Sequence, residues 1–319
     1  MRHAGGQLRL GVVGAGRVGA VLAAAWRQAG AEVVAVSGES DASRHRAATL
    51  LPGVPVVKPS AVARACDVLV LAVPDDMLGN VARQLAGAGA LTREPGEAQP
   101  TVVHLSGRHG LGVLDPAAEV GAARLALHPA MTFTGTVRDL SRLPRCAYAM
   151  TSDGPETAAL GTRLVSAVDG SVVEVVEEHR ALYHAALAHG ANHLVTLVAQ
   201  AREMLAAAGA DDPSATLRPL LEAALGNALE VGDSALTGPI VRGDVETVRA
   251  HVLDLLAHQP LAVPSYVALA RDTASRATLD GRLVPVRAAA VERVLALAED
   301  GRTDLLRLGA ALKSAEQGS

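Results

Sequence analysis

Six residues constrain this chain more than any others: Gly14-Ala15-Gly16-Arg17-Val18-Gly19, set between two apolar runs. Residues 8–13 read as a buried strand and residues 19–29 as a helix, so the glycines fall in the turn between them. Glycine at the first position permits a tight turn. At the second it lets a phosphate approach the backbone, and at the third it lets helix and strand pack closely. The helix start then offers free N–H groups and a partial positive charge to an anion. The pattern predicts a dinucleotide site, with Gly14, Ala15, Gly16, Arg17, Val18 and Gly19 around the pyrophosphate.

The second strand, residues 32–37, bears on which dinucleotide binds. An NAD site usually has a carboxylate at this strand's end, bonded to the ribose 2′-hydroxyl. Here the strand ends in Ser37-Gly38 with no acid, and Ser40 and Arg44 follow in the same loop. Hydroxyls and a guanidinium suit a 2′-phosphate, so the expected cofactor is NADP rather than NAD. A further segment, residues 67–73, runs into Pro74-Asp75-Asp76. Val73 and Pro74 are expected to line the cofactor, and Asp75 and Asp76 to cap the helix that follows.

The rest of the first half alternates short strand-like runs with helical patterns, which predicts a doubly wound parallel sheet. Residues 101–105, 124–127, 146–151 and 171–176 are the later strands, residues 155–167 a helix, and residues 87–100 a surface loop. From Glu177 onward only helical periodicity remains, over residues 177–208, 214–229, 245–257, 261–277 and 286–297. A chain of 319 residues exceeds what one core usually organises. The expected domains are a dinucleotide-binding domain, 1–176, and a helical substrate and dimerisation domain, 177–319, whose last few residues read as a tail.

Composition narrows the function classes. A net charge of −4 with scattered basic residues gives no footprint for nucleic acid. No apolar stretch reaches the roughly 20 residues that a membrane helix needs. The two cysteines, Cys66 and Cys146, lie far apart in apolar runs, which suits a reducing compartment and offers no metal-spaced pair. The expectation is a cytoplasmic protein without membrane, nucleic-acid or metal partners.

Ligands of open parallel sheets bind beyond the carboxyl ends of the strands. Two such ends carry chemistry-bearing groups, Ser106-Gly107 and His128-Pro129. Carbonyl reduction needs a proton donor to the developing alkoxide, and histidine titrates in the right range. The first helix of the second half adds Tyr183, His184, His189, Asn192 and His193. At 100° per residue His184 and Asn192 share one broad face, and an asparagine in an apolar helix needs a hydrogen-bond partner. Further on, Thr237-Gly238-Pro239 leads into Arg242-Gly243-Asp244, where Arg242 could grip a carboxylate and Asp244 cap the next helix.

Segments 11–19, 67–75, 103–107, 127–133, 182–194 and 237–244 together resemble a bacterial family of Rossmann-like proteins with a C-terminal helical domain of unknown function. The Tyr183-His184-Ala185-Ala186 and Thr237…Asp244 strings are its most specific parts. The wider group has 6-phosphogluconate-dehydrogenase-like helical domains and includes ketopantoate reductase, pyrroline-5-carboxylate reductase and prephenate dehydrogenase. The resemblance implies a homodimer joined through the helical domain. It also implies that Ser106 and His128 serve the reacting oxygen, as in the prephenate and hydroxyacyl-CoA enzymes. The lysine of the ketopantoate and hydroxyisobutyrate-type enzymes has no counterpart. Its position is Ala188, and the only lysines are Lys58 and Lys313.

The expected function is NADPH-dependent reduction of a small carbonyl acid, with a ketopantoate-like 2-oxo acid first. His128 would donate the proton, Ser106 and Asn192 would orient the carbonyl, and His184 would line the site. Arg242 and Thr237 would hold the substrate carboxylate. The alternatives are reduction of a cyclic imine acid of the pyrroline-5-carboxylate kind and a non-catalytic NADP-binding sensor or scaffold.

Overall fold

A computed structural model describes residues 7–308, so the expected C-terminal tail and Lys313 lie outside the described residues. Contacts divide the chain at Gly190 and Ala191 into two compact units. The sequence pattern changes earlier, at Val176. The compact unit continues past it because the first helix after that point buries Arg180 completely against the sheet domain.

The first unit is built on a seven-stranded sheet. Its strands are β1 (Arg9–Val13), β2 (Glu32–Ser37), β3 (Val68–Leu71), β4 (Thr101–His104), β5 (Ala123–Pro129), β6 (Ala147–Ser152) and β7 (Ser171–Glu174). Their order is β2-β1-β3-β4-β5-β6-β7, and β1 to β5 run parallel. A lone parallel bridge from Val36 to Val56 is all that remains of a strand outside β2. With that strand counted, the order is the one that binds dinucleotides where it reverses, here between β1 and β3. One departure from the expected parallel sheet is that β6 runs antiparallel to β5, with Leu127 opposite Met150. The chain reaches β6 through residues 130–146 without a crossover helix long enough to return it in parallel.

Helices cover both faces. On one, α1 (Arg17–Gln28), α2 (Asp41–Leu50) and a later helix, Pro155–Ser166, pack around Trp26, whose indole N–H donates to the Leu164 carbonyl at 2.9 Å. On the other lie α3 (Pro59–Ala65), α4 (Leu78–Gly87) and α5 (Asp115–Ala118). The helix Pro155–Ser166 is α6, and α7 (Arg180–Leu187) ends the unit.

The second unit is helical: α8 (His193–Ala207), α9 (Pro213–Val231), α10 (Pro239–Arg242), α11 (Val245–His258), α12 (Val263–Leu279) and α13 (Pro285–Glu299). Its core joins α11, α12 and α13 through Val248, Val252, Val267, Val291 and Leu295. A π turn, Ala188–Asn192, interrupts the single long helix that periodicity predicts between Glu177 and Ala208. A π turn bonds residue i to i+5. The ideal-helix angle that set His184 and Asn192 on one face therefore does not carry across it.

Candidate active site

The glycine turn behaves as its spacing predicts. Gly14 has φ +103°, and a Cβ there would lie 2.6 Å from the Ala72 carbonyl oxygen. At Gly19 a Cβ would lie 2.2 Å from the Gly14 oxygen and 2.7 Å from the Ala72 side chain. Gly16 differs: its nearest neighbour would be 4.0 Å away. Two glycines are thus packing requirements, and the middle one keeps a space clear before the α1 N-terminus. No side chain caps that terminus, so its N–H groups remain available to an anion. This is the cradle a dinucleotide pyrophosphate requires. Val73 and Pro74 follow β3 beside it, at the point where strand order reverses.

The β2 end is more committed than its sequence suggests. Ser37 is buried, and its Oγ accepts from the Gly14 N–H at 3.2 Å while its carbonyl accepts from Ala15 at 2.7 Å. It therefore braces the glycine turn. Ser40 caps α2, accepting from the Ser43 N–H at 3.2 Å. Arg44 pairs with Asp41 at 2.5 Å and donates to the Glu39 carbonyl. An incoming phosphate would have to compete for that guanidinium.

The ends of β3, β4 and β5 bring Asp75, Ser106 and His128 to one edge of the sheet. Ser106 is buried and donates to Asp75 Oδ2 at 2.7 Å. Its Oγ also accepts from the His109 N–H at 3.2 Å. The hydroxyl proton is therefore engaged by Asp75. Asp75 in turn is not a helix cap: α4 has Met77 at its N-cap with no side-chain bond, and Asp75 faces Ser106 and Arg108.

His128 Nδ1 lies 2.9 Å from the Tyr183 hydroxyl. The His184 ring meets it edge-on with centroids 6.1 Å apart. Gly107 makes room for both rings, because a Cβ there would be 2.6 Å from His184 Cδ2 and 3.1 Å from His128 Nε2. Burial, followed by the Arg180 charge and then His184, pushes the His128 imidazole down to about 4. The ring is neutral near pH 7, so it acts as a hydrogen-bond donor or acceptor and not as a stored imidazolium. If Tyr183 donates to Nδ1, Nε2 carries the ring proton on the Gly107 side.

Two buried groups escaped sequence reasoning. Arg180 is fully buried, donating to Ser106 O at 2.9 Å and Thr151 Oγ1 at 3.0 Å, with its Nε unpartnered. His104 is also fully buried. Its Nε2 donates to Gly110 O at 2.9 Å, its Nδ1 accepts from Ser106 N–H, and burial pushes it down to about 4. Local pattern gave no warning of Arg180, which follows Glu177-Glu178-His179 and reads as part of a solvated charged stretch.

In the second unit Asn192 is exposed, so its amide has no need of a buried partner. Thr237 and Arg242 are exposed as well. Thr237 lines a cavity of about 290 Å³ with Gln200, Ile240 and Tyr266. Asp244 caps α11 as expected, accepting from Thr247 N–H at 3.2 Å and from its hydroxyl at 2.7 Å. Among the described residues no cluster of His, Cys, Asp or Glu could hold a metal, and no helix is long and apolar enough to cross a membrane.

Fold and glycine turn together define a Rossmann-type protein with a helical second part. Residues 2–129 match the model of a Rossmann-like domain, and residues 146–273 match the model of a domain of unknown function, DUF2520. No curated protein matches the sequence. Among solved structures, a candidate NADP oxidoreductase from Bacteroides fragilis is 20% identical, with TM-score 0.69 over 84% of this chain and 98% of that one. A Plasmodium falciparum pyrroline carboxylate reductase with NADP bound is 13% identical, with TM-score 0.55 over 85% of this chain and 100% of that one. An imine reductase from Myxococcus stipitatus in complex with NADP+ is 18% identical, with TM-score 0.54 over 92% and 95%. At these identities the likeness is one of fold.

Proposed function

We propose that this chain is an NADP-dependent oxidoreductase that reduces a C=N or C=O bond in a small carboxylate-bearing substrate. The observation that carries the reading is His128, held by Tyr183 beside Gly107, on the sheet edge that also bears the Gly14–Gly19 cradle. Gly14, Gly16, Gly19 and the α1 N-terminus would hold the pyrophosphate, with Val73 and Pro74 alongside. Ser37, Ser40 and Arg44 are the groups offered to the ribose 2′-phosphate. NADPH, when bound, supplies the hydride.

A cyclic imine acid fits the neutral His128 best. Its nitrogen can enter already protonated, so the imidazole has only to accept or donate a hydrogen bond. A ketopantoate-like 2-oxo acid is the second reading, favoured by the Ser106-Gly107 and His128-Pro129 layout. There the alkoxide needs a proton, which His128 Nε2–H would give as the Tyr183 hydroxyl passes its own to Nδ1, so the ring stays neutral and the tyrosinate regains a proton from solvent. Ser106 then acts through Asp75 as a positioning residue, and His184 lines the site. Asn192, Thr237 and Arg242 are substrate-binding candidates on the sequence pattern alone. The two buried free thiols suit a reducing compartment such as the cytoplasm.

The test is NADPH absorbance across a panel of cyclic imine and 2-oxo acids. Oxidation with a member of either class supports an enzyme and names its class. Tight NADPH binding with no turnover on any member would replace the enzyme with a non-catalytic NADP sensor or scaffold.

A further inference from the structure

Between α2 and the segment that follows β5 lies a cavity of about 570 Å³. It is lined by His45, Arg46 and Thr49 on one side and by Thr134, Arg138 and Arg142 on the other. No carboxylate lines it. Many other guanidinium groups of this unit are engaged: Arg9 meets Glu32, Arg44 meets Asp41, Arg124 meets Asp115 and Asp153, and Arg27, Arg64 and Arg93 donate to backbone carbonyls. Arg46, Arg138 and Arg142 have no side-chain hydrogen bond or ion pair to any described residue. Three uncompensated guanidiniums around one cavity are conspicuous in a chain whose net charge is −4.

The wall carrying two of them is rigid. Asp139 is fully buried and accepts from the N–H groups of Thr134 at 2.8 Å and Gly135 at 2.7 Å, and from the Thr134 hydroxyl at 2.9 Å. Burial alone would push its carboxyl up, but these hydrogen bonds outweigh burial and hold it below the ordinary range. Gly135 has φ +80°, and a Cβ there would lie 2.8 Å from both Arg46 Nε and Arg17 Cγ. Only glycine lets this segment lie against the arginines. A preorganised basic recess of this kind matches a phosphate, whose oxygens accept from several guanidiniums at once.

We propose that the cavity framed by Arg46, Arg138 and Arg142 is a phosphate-binding site distinct from the glycine cradle. The group bound is a phosphate monoester or diphosphate carried on a free metabolite. The site does not depend on the oxidoreductase reading, since a phosphate can be titrated without cofactor.

The experiment is calorimetric titration of the full chain with inorganic phosphate and pyrophosphate at fixed ionic strength. The Arg138→Ala/Arg142→Ala variant should lose about tenfold or more in affinity, the scale of one or two charge-assisted hydrogen bonds. Both side chains are exposed, so the fold should persist, which circular dichroism checks. Arg83→Ala, on α4 where the guanidinium bonds the Asn80 side chain and is remote from the cavity lining, should leave phosphate affinity unchanged. Prior saturation with NADP that abolishes the phosphate signal, where NAD does not, would give the cavity to the cofactor's 2′-phosphate and overturn the proposal. A signal that survives both cofactors assigns it to a free ligand. No binding by the wild type, or affinity kept in the double arginine variant, overturns the proposal.

Discussion

Helices α1 and α9 use the same small vocabulary of Ala, Leu, Val and Gly and are buried very differently. In α1 every residue from Gly19 to Trp26 is buried. In α9, nineteen residues long, only Leu217 is buried, and Leu220, Leu225 and Leu229 are 65%, 52% and 81% exposed. Apolar content cannot separate them, since both are mostly small hydrophobes. What differs is the opposing surface: α1 lies on the sheet, while α9 has little of its own unit to lie on. A small-residue helix is therefore specified by what faces it.

The largest expected effect comes from breaking the α1 side of this contrast. Gly19→Val must displace the Gly14 carbonyl or the α1 axis, since even a Cβ would sit 2.2 Å from that oxygen. Overpacking of this kind typically costs about 1–3 kcal/mol, and here it also deforms the cradle. The expected result is loss of measurable NADPH binding together with a lower melting temperature. Fluorescence titration of the nucleotide checks it, and unchanged affinity would show that the dinucleotide does not use this turn.

Next in size is His128→Asn. On a 2-oxo acid the loss of a proton donor should lower turnover about a hundredfold to ten-thousandfold with NADPH affinity retained. On a cyclic imine, where His128 has no proton to deliver, the loss should stay near tenfold or below. Tyr183→Phe should reproduce the same ordering with smaller losses, because it frees the ring from its 2.9 Å partner without removing it. Near-normal turnover of His128→Asn on an oxo acid would make the histidine structural and move attention to His184.

How far the sequence reached follows the same division as the two helices. The β1–α1–β2 core and the packing demands at Gly14 and Gly19 were legible because strand period, helix period and glycine spacing all act within thirty residues. The direction of β6 was not, since a strand's residues do not encode which way its neighbour runs. Asp75 with Ser106, Tyr183 with His128 and Arg180 with Ser106 are separated by 31, 55 and 74 positions. Each looked locally like a cap, a helix-face aromatic or a solvated charge. Burial alone made them a network, and burial is a property of the assembled sheet edge.

A third effect concerns pH. His104 and His128 both fall from an ordinary 6.5 to about 4, chiefly through burial. The unfolded chain therefore binds more protons than the folded one between those values. Stability is complete above pH 6.5 and drains away as pH falls toward 4. Each lowered histidine contributes on the order of a few kcal/mol across that window. Urea unfolding at pH 8, 6 and 4.5 measures this, and His104→Gln should flatten the slope. A slope of the opposite sign would mean that the imidazoles are charged in the fold.

The smallest effect on the chain's own stability is expected on α9, and it sharpens the comparison most. A helix with one buried residue draws little from tertiary packing, and propensity alone leaves isolated helices marginal. The proposed source of the missing burial is a second copy of the chain, through helices after Glu177, since most oligomers are symmetric homo-oligomers. Leu225→Asp with Leu229→Asp puts two charges on one face, because positions four apart are neighbours on a helix. If α9 is solvated, such surface changes alter stability by about 0.5 kcal/mol or less. If it is an interface, sedimentation at micromolar concentration should turn from dimer to monomer. The wild type's melting temperature should also rise with protein concentration, a dependence the variant loses. The expected outcome is the second. A wild type that sediments as a monomer, with the same melting temperature at every concentration, would leave α9 a solvated helix and remove the homodimer.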